Sequence, residues 1–226
     1  MTGIKELRKP IVIGILGGIA SGKSEVTRAL GALNAVIISA DEIAHQVLLE
    51  KTIVESLVEI FGSCILLESD STRGDQSRGD QSRGNSVVID RKKLGAIVFG
   101  SSPEKREMRK KLEAIVHPRI REIARRKLET LLRDPSLQMI VLDAPLLIEG
   151  GWLPFCDKVL FVDSPEKMRM NHALARGWTV EEWRNRELAQ LSLEEKRKYA
   201  THLVLNDGTI EHLKQQVMAF VASLQK

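Results

Sequence analysis

Eight residues, GGIASGKS at Gly17–Ser24, constrain this chain more than any other stretch. They satisfy the pattern G-x-x-x-x-G-K-[ST] through Gly17, Gly22, Lys23 and Ser24. IVIGIL (Ile11–Leu16) precedes them, a continuous apolar run rich in β-branched residues, as in a strand buried on both faces. EVTRALGAL follows, with Val26, Leu30 and Leu33 at helical spacing. Strand, glycine-rich turn and helix start together make a phosphate cradle. Glycines let backbone N–H groups curl around phosphate oxygens, Lys23 reaches the β- and γ-phosphates, and the Ser24 hydroxyl ligates Mg²⁺. The dipole of the helix behind the turn adds to the attraction. The expected nucleotide contacts are Gly17, Gly18, Ala20, Ser21 and Gly22 in the loop, with Lys23, Ser24 and Glu25 opening the helix.

Beyond the loop, short buried strands alternate with helices. AVIIS (Ala35–Ser39), LQMIVLDAPLL (Leu137–Leu147, running into a Pro turn), KVLFVD (Lys158–Asp163) and HLVLND (His202–Asp207) read as strands. DEIAHQVLLE begins a helix, and Ser39 with Glu42 has capping-box spacing. The region Asp90–Arg133 reads as helical and basic, with eleven Lys/Arg against five Glu between Glu104 and Arg133, and a break at His117–Pro118. Two charged helices surround Arg176–Gly177, and Ile210, Leu213, Val217, Val221 and Leu224 stripe a closing helix. This alternation predicts an α/β fold with a parallel sheet and helices on both faces.

Composition narrows the class further. In 226 residues, 28% charged and 43% hydrophobic, usage is that of a globular domain rather than a collagen-like or disordered chain. Two cysteines, Cys64 and Cys156, are too few for a disulfide framework and form no metal pattern, so a reducing cytoplasm is the expected location. No apolar run approaches the ~18–20 residues of a membrane span, and MTGIKELRKP does not read as a signal peptide. A net charge of +4 suits an anionic substrate as well as nucleic acid. Ser69–Ser86 stands apart, with SRGDQ at Ser77–Gln81 after the near copy TRGDQ. Lacking apolar anchors, 69–86 is expected to be a flexible surface insertion.

A phosphate loop does not name a reaction. The short chain and the lack of an NKxD guanine-reading motif favour a small-molecule kinase over a GTPase switch. With GGIASGKS, the blocks SADEIAH, VFGSSPEKREMRKKLEAIVHPRI, APLLIE and LSLEEKRKYATHLVLNDG resemble those of the dephospho-CoA kinase family, in order, from about Ile11 to about Gly208. The resemblance implies transfer of the ATP γ-phosphoryl group to the ribose 3′-hydroxyl of dephospho-CoA. It also implies a P-loop nucleoside-triphosphate hydrolase fold of nucleotide-kinase type. The kinase-like domain would span 11–210, with a helical CoA-binding subdomain at about 42–125 and a lid at about 165–190. Residues 211–226 would form a C-terminal helix packed on the core.

The resemblance also distributes roles. Asp41, two residues after the second strand, matches the family's general base; a carboxylate at the sheet's carboxyl end suits that role, and a first-turn acid facing the helix dipole is the alternative. Ser39 stands where many members have another Asp and reads here as an N-cap. His117, with Pro118 and Arg119, matches a block facing the CoA substrate, and Arg91 is a candidate phosphate contact. Asp143 reads either as a Mg²⁺-holding acid or as a strand-end acid. Pro145 and Leu146, with Leu147, read as substrate-wall and fold residues. In the lid, Arg186 is kept, but the two upstream arginine positions fall on Asn171 and Ala175. Arg176, one residue off, is the expected substitute, with Arg169 another candidate. Asn206 and Gly208 resemble the adenine-side turn.

The expected partners are dephospho-CoA, ATP and Mg²⁺, with no nucleic acid, no membrane, and a monomer or small homo-oligomer. Two other readings stay open: another nucleoside or nucleotide kinase, and a nucleic-acid-binding P-loop protein using the basic helices. Three Trp, one Tyr and five Phe leave few stacking platforms for the latter.

Overall fold

The computed structural model describes residues 9–67, 88–100 and 102–224. The insertion expected at Ser69–Ser86 lies outside the described residues. In chain order the elements are β1 (Ile11–Gly17), α1 (Lys23–Ala32), β2 (Val36–Ser39), α2 (Ala40–Val47), α3 (Lys51–Phe61), α4 (Arg91–Val98) and α5 (Pro103–Leu131). They continue with β3 (Met139–Asp143), β4 (Lys158–Asp163), α6 (Glu166–Ala175), α7 (Val180–Leu188), α8 (Leu193–Arg197), β5 (His202–Leu205) and α9 (Ile210–Ser223). The five strands form one sheet in the order β2-β3-β1-β4-β5, and every pairing is parallel. Two compact units result: residues up to Ala40 together with those from Ala124 on, and Asp41–Ile123.

In the sheet unit, β1 is central and buried from Val12 to Gly17, because strands flank both of its edges and helices cover both faces. Ile13, Val141 and Leu160, from three neighbouring strands, pack with Val26 and Leu30 of α1 and with Leu213, Val217 and Phe220 of α9. The expected stripe of α9 is corrected at its start. Ile210 is 49% exposed, and Phe220 is buried instead. Thr209 caps this helix by accepting from His212 N at 3.2 Å, which leaves Ile210 in the first turn, ahead of the packed segment. At the open edge of the sheet, the Gln216 amide accepts from Leu205 N and donates to Leu205 O, both at 2.8 Å. A side chain thus satisfies backbone groups that an edge strand leaves unpaired.

The helical unit has its own core, built from Val54, Leu57, Phe61, Ile65, Ile89, Leu94 and Val98. Asp90 caps α4, accepting from Lys92 N at 2.9 Å and Lys93 N at 3.1 Å. The break expected at His117–Pro118 does not occur: α5 runs unbroken through Pro118. Proline removes one backbone donor and crowds the preceding turn. The stripe Val116, Ile120, Ala124 and Leu128 is buried on both sides of it, and that packing holds the helix together. Arg119 is tied locally, donating to Glu50 Oε2 at 2.7 Å and Glu122 Oε2 at 2.8 Å. Among the described residues, no helix is long and apolar enough to cross a membrane.

Leu160 is fully buried, whereas Met218 is 58% exposed. Leu160→Ala is expected to lower unfolding free energy by about 2–5 kcal/mol, and Met218→Ala to change it by no more than about 0.5 kcal/mol. Urea melts of the two variants against the parent protein measure both.

Candidate active site

The carboxyl end of β1 turns directly into the phosphate loop, and α1 begins at Lys23. Gly22 sits at φ +97°, and a Cβ there would run into the Asn206 amide nitrogen, so both backbone conformation and space demand glycine. Ala20 is the unusual residue, left-handed at φ +59° without being glycine. Its surroundings hold it there. Its side chain packs with Ala173 and Trp183, and its carbonyl accepts from His172 Nδ1 at 3.1 Å. Asn206 Nδ2 donates to Ser21 O at 2.9 Å, bracing the loop from the segment after β5.

Lys23 Nζ donates to Gly17 O at 3.2 Å and Gly18 O at 2.6 Å. Burial pushes its pKa down to about 8; the nearby charge of Lys196 lowers it further, as do Arg169 and Arg176, while Asp143 opposes them. The loop is therefore ringed by cations. Arg169 is 4% exposed; its Nε donates to Ser164 O at 3.1 Å and its Nη1 pairs with Glu187. Arg176 is exposed just past α6. Arg186 is exposed on α7, its guanidinium 4.0 Å from the Trp178 ring centre. Asn171 and Ala175 are exposed on α6.

The loop fits a polyphosphate. Its helix starts without a side-chain cap, and Ser21 Oγ is buried with no hydrogen-bond partner among the described residues. The donors also fit Mg²⁺, which binds through one or two protein oxygens plus substrate phosphates. Ser24 is the second residue of α1, and Asp143 ends β3, accepting from Thr27 Oγ1 at 3.1 Å. Ser24 is exposed, and Glu25 pairs with Arg28. Pro145 is exposed, Leu146 half-buried and Leu147 fully buried in the turn after β3. Gly208 is exposed just ahead of α9.

The remaining sequence-derived residues belong to the helical unit. Asp41 is exposed, second in α2 and two positions beyond the last residue of β2. Arg91 is exposed at the start of α4. His117 is half-buried, and burial lowers its pKa from the ordinary histidine value.

Sequence reasoning missed three residues that act on the loop or its acid: His172, Thr27 and Lys196. Lys196 lies in the charged run EEKRK, which resembles a solvated face. The one available signal was Ser192 followed by Glu195, a capping box that starts α8. Only packing of α8 against β1 turns Lys196 inward, leaving it 2% exposed.

A phosphate loop on a five-stranded parallel sheet, with cations gathered from the helices after β4, defines a P-loop kinase. The chain belongs to the dephospho-CoA kinase family, whose model matches residues 11–212. It is 38% identical over 213 residues to the dephospho-CoA kinase of Geobacillus kaustophilus, covering 93% of this chain and 95% of that one. Identity to the Geobacter sulfurreducens dephospho-CoA kinase is 36% over 208 residues, covering 91% and 94%. Among solved structures, TT1252 from Thermus thermophilus superposes with a TM-score of 0.70 at 32% identity, over 96% of this chain and 99% of that one. The dephospho-CoA kinase from Campylobacter jejuni gives 0.60 at 25%, over 94% and 96%.

The lowered pKa of Lys23 has a measurable consequence. Near pH 8 about half of the Lys23 amines are neutral in the free protein, and nucleotide phosphates favour the charged form. ATP binding is therefore expected to take up protons at pH 8 and to weaken as pH rises from 7 to 9. Calorimetry in buffers of different ionisation enthalpy measures the uptake. Lys23→Met is expected to remove it.

Proposed function

We propose that this chain transfers the γ-phosphoryl group of ATP to the ribose 3′-hydroxyl of dephospho-CoA, yielding CoA and ADP in the last step of coenzyme A biosynthesis. The observation that carries the reading is the cation-ringed phosphate loop in a chain that matches the family from residue 11 to residue 212. The loop N–H groups and Lys23 bind the β- and γ-phosphates and hold the γ-phosphorus for in-line attack. The bond from that phosphorus to the ADP oxygen breaks as the bond to the 3′-oxygen forms. Asp41 accepts the proton released by the 3′-hydroxyl. Ser24 and Asp143 are the residues that would hold Mg²⁺, which neutralises charge on the β- and γ-phosphates.

The other assignments follow from the same reading. Residues of about 42–125 bind the CoA moiety, with His117 and Arg91 as contacts and Pro145 and Leu146 as substrate wall. Residues of about 165–190 act as a lid, to which Arg176 and Arg186 bring positive charge. Asn206 supports the nucleotide side through its bond to Ser21 O. A reducing cytoplasm suits the two free thiols, Cys64 and Cys156.

The deciding experiment follows ADP release from Mg·ATP with and without dephospho-CoA, with CoA detected by mass. Acceptor-dependent ADP with matching CoA is expected. Acceptor-independent ADP, or phosphate on another hydroxyl, overturns the reading. Lys23→Ala is expected to abolish turnover with the melting transition retained. Asp41→Asn is expected to lower kcat by roughly 10²–10⁴-fold with ATP affinity nearly unchanged; collapse of ATP binding instead would make Asp41 a structural or metal-site residue.

A further inference from the structure

Two cations are almost wholly buried beside the phosphate loop, and they are partnered differently. Arg169 is neutralised, with Glu187 on its Nη1 and Ser164 O on its Nε. Lys196 is 2% exposed, and among the described residues its Nζ donates only to Gln190 Oε1, at 2.6 Å. No carboxylate among the described residues lies within ion-pair distance of it. Glu149 attracts its charge from farther away, and Arg169 repels it. A buried ammonium opposite a neutral amide is costly, since a well-packed apolar side chain would fill the same space without the desolvation penalty. Lys196 also raises the cost of charging Lys23. An anion near both amines relieves that repulsion.

The surroundings of Lys196 suit such an anion. With Gly18 and Ile19 of the loop, and with Glu187 and Gln190, Lys196 lines a cavity of about 200 Å³. Lys23 donates to Gly18 O at the same loop residue. The short helix α8 starts at a capping box and packs against β1, and the bond to Gln190 fixes where the amine sits. Gln190 fixes the amine from one side and leaves its other two N–H donors for a ligand.

Resting on the phosphoryl-transfer reading above, we propose that Lys196 is a further catalytic residue, whose Nζ contacts the oxygens of the transferring phosphoryl group and stabilises the charge that develops there. Gln190 positions it. An already buried, already oriented cation is the kind of group that favours a transition state without reorganising. It supplies charge beside the loop that Asn171 and Ala175 of α6 cannot, and that Arg169 spends on Glu187.

The test compares Lys196→Met and Lys196→Arg with the parent enzyme. Lys196→Met is expected to lower kcat by about 10²-fold or more, with ADP affinity unchanged and no loss of melting temperature. Lys196→Arg is expected to recover part of the rate. The direct readout is binding of ADP with aluminium fluoride, a mimic of the transferring phosphoryl group. Lys196→Met is expected to weaken that complex at least tenfold while binding ADP alone as the parent does. Equal weakening of both complexes, no weakening of either, or a change confined to the KM for dephospho-CoA would overturn the assignment. Gln190→Glu guards against a Lys196→Met variant that fails to fold, because it keeps the packing and neutralises the amine. It is expected to lower kcat about tenfold, and full activity would count against the proposal. If the parent protein makes no CoA, the acceptor reading falls, and the aluminium fluoride comparison still decides Lys196.

Discussion

Positive charge packed around a strained turn is the constraint on which the rest of the site depends. The phosphate loop folds back on itself through left-handed Ala20 and Gly22, and half-buried Lys23 bonds back to its Gly17 and Gly18 carbonyls. None of this is favourable in isolation. Left-handed backbone is costly for a residue with a Cβ, and burial disfavours the charged lysine. The loop persists because separate elements grip it. His172 of α6 holds the Ala20 carbonyl, Trp183 of α7 covers the Ala20 side chain, and Asn206 beyond β5 holds the Ser21 carbonyl.

Those three grips come from the part of the chain that follows β4, and that part also carries Arg169, Arg176 and Lys196. Bracing and charge therefore share elements: α6 supplies both His172 and Arg169, and α8 places Lys196. The surrounding acids set how much charge is left for a ligand. Glu187 cancels Arg169, while Gln190, being neutral, gives Lys196 no countercharge. Such an arrangement is under tension until phosphate arrives, which links binding strength to the protonation of Lys23.

Local chemistry was readable where it depended on neighbours in the chain. The strand Lys158–Asp163 matches its expected limits, because a short apolar run between polar ends has few other ways to be buried. In Leu137–Leu147 the strand is Met139–Asp143, and the chain leaves the sheet ahead of the expected Pro turn at Pro145. Pro118 misled the reading of α5 because proline's local penalty is visible in sequence, while the packed stripe that outweighs it is not. Ile210 misled it for the opposite reason: its spacing fits the stripe, but the capping by Thr209 leaves it one turn short of the packed segment.

Sequence alone determined the phosphate loop, the α/β class and the family: the loop is written in residue types at fixed short spacings, the class in the alternation of short apolar runs with helical stretches, and the family in ordered blocks along the chain. Glycines, a lysine and a serine in one octapeptide need no distant partner to be recognised. Tertiary structure decided the strand order β2-β3-β1-β4-β5, the three grips on the loop, and which cation beside it meets a carboxylate and which an amide. Lys196 shows why. In EEKRK every residue carries charge, and nothing local distinguishes the one that turns inward. Only the docking of α8 on β1 removes that amine from water and sets Gln190, rather than a carboxylate, against it.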